Sequence, residues 1–212
     1  MALEAFFERY ATLPIVLVAL AVYFGSFLVM RCLSPEDKIQ ESLNKSKVAY
    51  FRAGRTFAYD PQKLYAMLDV FNKQPGGDEL KKEYKQFFYY DFVFPLLYSS
   101  TLAIIIAYFQ KRWNIEKAEG GIEPIELHYL WALPLLAMVF DYLENFSLLY
   151  VLNNYEGAPM PSVVGFSRLM TMIKLIFIYA SMFLAFCVFL LWARDGLKFV
   201  FKSKSTHPSA SP

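Results

Sequence analysis

Three carboxylates, a lysine and an arginine fall where an apolar chain has least room for charge. The run Phe140-Asp141-Tyr142-Leu143-Glu144-Asn145 puts Asp141, Glu144 and Asn145 at offsets of three and four, so all three share one helical face. An earlier apolar run carries Asp91, with Pro95 and Tyr98 at the same helical spacing, and a later one opens with Arg168, Thr171 and Lys174. A charged side chain in hydrocarbon costs about 2.5–3.5 kcal/mol on insertion scales, so each of these groups needs a partner or a use. Three uses compete. Polar groups in lipid find one another, and the set could be an ion-pair and hydrogen-bond network that fixes helix packing. A deeply placed carboxylate could instead bind or conduct a small cation, a proton or a polar lipid head group. Third, two carboxylates can act as general acid and base, or hold a divalent cation through oxygen ligands, as in a lipid-modifying enzyme. The only histidines, His128 and His207, lie outside the set, which disfavours a zinc or iron centre. The sequence specifies no cofactor.

The elements that must position these residues are membrane helices. The chain has 212 residues, 57% of them hydrophobic and 18% aromatic, and its mean hydropathy is +0.32. Pro14–Leu33, Phe87–Phe109, His128–Leu152 and Leu169–Ala193 are runs with few or no charges. A run of roughly 18 or more such residues can cross a ~30 Å hydrocarbon core as a helix. The expected class is all-α, a multi-pass integral membrane protein built as a four-transmembrane-helix bundle with amphipathic helices in its first loop. The expected divisions are a first span over 1–33 and an amphipathic helical loop over 34–86. A three-span bundle carrying the polar cluster follows over 87–193, then a basic, finally disordered tail over 194–212. The acidic leader (Glu4, Glu8) and the lack of a small-x-small cleavage site make the first run a retained anchor.

Within the first loop, Asp60-Pro61 marks a helix start and Gln74-Pro75-Gly76-Gly77 its end, with Asp78 expected to cap the helix leading into the second span. Gln110–Leu127 and Asn153–Arg168 read as the remaining connections, and Pro95 and Pro134 as kinks. In a four-span topology the first and third loops share one face, here called side B. Asp91, Lys174, Glu144 and Asp141 then lie about 6, 8, 12 and 16 Å in from the side B ends of their runs. With Arg168 they predict one cluster in that half of the bilayer, with the first loop available as its lid. Basic residues near the spans divide almost evenly between the two sides, so the positive-inside rule does not orient the chain.

Asp91-x-x-x-Pro95-x-x-Tyr98 followed by Asp141-x-x-Glu144-Asn145 in the next span resembles a pattern in a group of small, uncharacterised bacterial polytopic membrane proteins. The resemblance covers roughly Lys82–Ala193. It implies a shared cluster of Asp91, Asp141, Glu144 and Asn145 and brings no activity with it. P-loop, dinucleotide, kinase and nucleophile-elbow motifs are missing from the sequence. The net charge of +2 implies no nucleic-acid partner. The partners expected are the lipid bilayer, a small cation or lipid head group at the cluster, and a second copy of the chain or a larger membrane complex.

Overall fold

The computed structural model describes residues 10–33, 36–45, 59–119 and 129–205, and among them the regular structure is entirely helical. The helices are α1 (Leu13–Leu33), α2 (Glu36–Lys45), α3 (Pro61–Lys73), α4 (Gly77–Asp91), α5 (Val93–Glu119), α6 (Ala132–Asn154) and α7 (Pro161–Ser205). Three stretches are long and apolar enough to cross a membrane: Gly77–Ile115, Ala132–Asn154 and Pro161–Arg194. They make the chain compatible with an integral membrane protein. The apolar part of α1, Leu13–Val29, is shorter. The apolar positions Val48, Phe51 and Phe57, the connection 120–128 and the terminal 206–212 lie outside the described residues.

Helix α5 touches α1, α6 and α7, and α6 and α7 share the largest interface. Thr101 of α5 donates its hydroxyl to the carbonyl of Ala19 at 3.2 Å, and Tyr23 meets Phe94 with ring centroids 5.9 Å apart, fixing α1 against α5. The outward faces of α1 and α7 carry Leu17, Val18, Leu28, Phe183, Phe186 and other exposed apolar side chains. So much continuous apolar surface suits a lipid solvent better than water.

Proline sets two boundaries. Pro95 has no N–H for the carbonyl of residue 91, and its ring crowds that carbonyl. The helix accordingly breaks at Phe92, so α4 meets α5 through a turn. Pro161 begins α7 at its first position, where a missing N–H leaves no bond unmade. This corrects the expected connection over Asn153–Arg168. The turn is only Tyr155–Met160: Asn153 and Asn154 end α6, and α7 takes in Pro161–Arg168 as well as the basic stretch after Ala193. Pro134 falls in the first turn of α6, where proline starts a helix and has no interior bond to break.

The first loop lies against the α6–α7 turn. Asp60 caps α3 by accepting from the Gln62 N–H at 2.9 Å. Asp78, expected as a cap, occupies the first turn of α4, while Gly76, at φ 80°, precedes the helix. Leu64, Met67, Leu68 and Phe71 of α3 are buried with Tyr84 and Phe88 of α4 and with Leu148, Leu152 and Tyr155. Polar contacts fix the position. Asn72 donates to the Tyr155 carbonyl at 2.8 Å, and the Met160 N–H donates to the Tyr65 phenol at 3.0 Å. Tyr65 and Tyr155 stack at 5.6 Å. The Tyr155 phenol donates to Asp69 at 3.1 Å. Burial, aided by Asp69 as acceptor, pushes this phenol up to about 12.

Candidate functional site

The cluster forms around one face of α6. Pro134 lets that helix start cleanly, and its 3.6-residue repeat then stacks Asp141, Glu144, Asn145 and Leu148 toward α4, α5 and α7. All four are buried, Glu144 completely. Lys174 of α7 is 5% exposed, and its ammonium donates both to Asp141 Oδ1, at 3.0 Å, and to Glu144 Oε2. Tyr98 of α5 donates to the other Asp141 oxygen at 3.0 Å. Asn145 donates its side-chain amide to Asp91 Oδ2, at the end of α4, at 3.1 Å. The break at Phe92 leaves Asp91 on a helix end facing α6, which is how a residue outside α5 reaches the group.

Six of the seven residues singled out from the sequence thus come together: Asp91, Tyr98, Asp141, Glu144, Asn145 and Lys174. Arg168 stands apart. It is exposed on the outer side of α7, six residues and so about 240° around the helix from Lys174. Its departure changes the charge count. Three carboxylates face a single ammonium, where the sequence had offered two cations.

Two neighbours belong with the site as well. Thr171, fully buried, lies beside Glu144 but has committed its hydrogen to the Ser167 carbonyl at 3.0 Å. Glu144 Oε1 has no close hydrogen bond among the described residues, the Thr171 hydroxyl being its polar neighbour. Ser167, also fully buried, has a hydroxyl with no close hydrogen bond among the described residues, and it lies against the phenol of Tyr59. Tyr59 donates to the Val164 carbonyl at 3.2 Å, and its burial pushes its own phenol up to about 12. Ser167 could have been found from its spacing of four and seven from Thr171 and Lys174. Tyr59 could not, because its place depends on how the first loop docks.

Among the described residues no group of three or more His, Cys, Asp or Glu side chains is arranged to hold a metal ion. Lys174 occupies the position between Asp141 and Glu144 that a bound cation would take. Chemically, the arrangement can hold or release protons, and it can tie helices together. Comparison of the chain with protein-family models, curated proteins and solved structures gives no match.

Proposed function

We propose that the chain is a four-span integral membrane protein whose polar cluster is a proton-binding site, charge-balanced in part by Lys174. Helix α1 supplies the first span: its 21 residues extend about 31 Å at 1.5 Å per residue, close to the ~30 Å of a hydrocarbon core. The observation that carries the proton reading is the charge imbalance of three carboxylates against one ammonium, with Glu144 Oε1 lacking a close hydrogen bond. Uncompensated charge in a low-dielectric interior is costly, and a carboxylate there sheds its charge by binding a proton. A proton also needs no room, whereas a metal cation would have to displace the Lys174 ammonium.

The test is an infrared pH titration of the full chain in lipid nanodiscs, following the carbonyl stretch of protonated carboxyl groups. A protonated-carboxyl signal that changes with pH, and shrinks in Glu144→Gln or Asp91→Asn, supports the reading. A wild-type protein with no such signal overturns it.

A second reading, in which the cluster only fixes helix packing, is favoured by a different observation. The contacts of its carboxylates with Tyr98, Lys174 and Asn145 join different helices: α5 to α6, α6 to α7 and α4 to α6. Under it, Asp141→Asn lowers thermal stability and leaves proton uptake unchanged.

A further inference from the structure

Val164, Ser167, Thr171 and Lys174 follow one another at offsets of three, four and three, and all four are buried. They form a continuous stripe on α7 running from the cluster toward the first loop. At its inner end Lys174 holds Glu144, and at its outer end Tyr59 donates to Val164 and rests on Ser167. Between these ends lie two buried oxygens with no hydrogen-bond partner among the described residues, Glu144 Oε1 and Ser167 Oγ. Ser167 and Thr171 are one helical turn, about 5.4 Å, apart. A buried polar atom without a partner calls for an explanation, and in a polar site with several such atoms the usual one is water.

We infer that Glu144, Thr171 and Ser167 line a hydrated proton path from the cluster to side B, and that Tyr59 is its outer seal. The inference rests on the proton-site reading above and names its access route. The step balances simply. The Glu144 carboxyl gives its proton to a water held by the Thr171 and Ser167 oxygens, and when the Tyr59 ring swings aside that water passes one of its other protons to solvent water on side B. The carboxylate left behind recovers a proton by the reverse sequence. The Thr171 hydroxyl, 3.0 Å from the Ser167 carbonyl and beside Glu144, offers its oxygen to the water. Ser167 can both accept and donate. Tyr59 has committed its hydrogen to Val164, so it closes the path and carries no proton itself. The groups facing Tyr59 are Glu144, Ser167 and Arg168 from the α6–α7 hairpin and Tyr65 from α3. Only 4% of Tyr59 is exposed, so the path is shut in this structure.

The experiment is hydrogen–deuterium exchange of the Glu144 carboxyl, followed by infrared spectroscopy of the full chain in nanodiscs and assigned by subtracting Glu144→Gln. Ser167→Ala is expected to slow the exchange by about tenfold, a ~1.4 kcal/mol rise in barrier. Thr171→Val is expected to slow it in the same direction. Tyr59→Ala is expected to speed exchange. Tyr59→Phe, which keeps the ring and removes the hydroxyl that meets Val164 and Ser167, is expected to speed it less and covers the case in which Tyr59→Ala does not fold. Exchange that stays within twofold of wild type in Ser167→Ala, Thr171→Val and Tyr59→Phe overturns the path while leaving the proton site standing. A spectrum with no exchangeable Glu144 signal overturns the path, and one that also lacks a carboxyl signal lost in Asp91→Asn overturns the proton site too.

Discussion

Lys174 of α7 donates to Asp141 of α6 at 3.0 Å, and the same ammonium also holds Glu144, so one lysine clamps two carboxylates on a neighbouring helix. Removing one partner from a buried pair leaves charge without compensation, which commonly destabilises by about 3–5 kcal/mol. Lys174→Met should therefore lower stability sharply near neutral pH. The sign of the pH effect follows from charge. As pH falls, protons replace the missing ammonium on the carboxylates, so the variant should recover stability on acidification. Adding Asp141→Asn and Glu144→Gln to Lys174→Met should restore much of the loss at neutral pH, because no charge is then left to compensate. Denaturation in sodium dodecyl sulfate at several pH values measures this, and a Lys174→Met protein that weakens further on acidification contradicts it.

The contact between Asn145 and Asp91, at 3.1 Å, spans the break at Phe92 and ties α4 to α6. Hydrogen bonds between helices within lipid contribute about 0.6–2 kcal/mol. A double-mutant cycle of Asn145→Leu and Asp91→Leu should give a coupling energy in that range. A coupling near zero would mean that the two side chains are neighbours without a shared bond.

How far the sequence revealed this site depends on the kind of information each residue needs. Asp141, Glu144 and Asn145 were legible because their spacing and helical geometry suffice. The pairing of Lys174 with them followed from depth, since polar groups at similar depth in lipid seek one another. Arg168 shares the depth of the cluster but not its angle: it lies about 120° around α7 from Lys174 by the shorter way and is exposed. The apolar runs located three of the long helices. Their ends were less legible, because α7 continues well past its apolar run into polar sequence that by itself reads as loop. Tyr59 and the docking of α3 on Tyr155 are tertiary relationships between residues 83 to 105 positions apart, and no local pattern encodes them.

Alkaline pH should loosen the first loop. Burial raises the phenols of Tyr59 and Tyr155 from 10.0 to about 12 each. A phenol whose value is raised on folding binds its proton more tightly in the folded state. Its contribution is complete below pH 10 and disappears as pH rises from 10 toward about 12. Thermal stability of the full chain should fall across that window. Tyr155→Phe should be less stable than wild type at neutral pH, by about 1 kcal/mol for the lost bond to Asp69, and should show a shallower alkaline decline. An equally steep decline in Tyr155→Phe would assign the effect to other groups.

Two adjacent glycines between α3 and α4 should respond unequally to the same substitution. Gly76 has φ 80°, a left-handed conformation that a side chain disfavours, but a Cβ there meets nothing within 4 Å. Gly76→Ala should thus carry only the backbone penalty, about 1 kcal/mol. Gly77 has an ordinary helical backbone, yet its Cβ would run into the carbonyl oxygens of Phe71 and Val70 at the end of α3. Those atoms are backbone and cannot swing away, so α3 and α4 would have to separate. Overpacking of this kind costs about 1–3 kcal/mol, and the separation would also disturb the contact of Phe71 with Tyr84, whose rings lie 5.7 Å apart. Gly77→Ala should be the more destabilising of the two by thermal denaturation. It should also increase protease access to the α3–α4 segment, while Gly76→Ala should leave that access near wild type. The reverse order would mean that backbone conformation, and not the close approach of the two helices, holds this corner of the first loop in place.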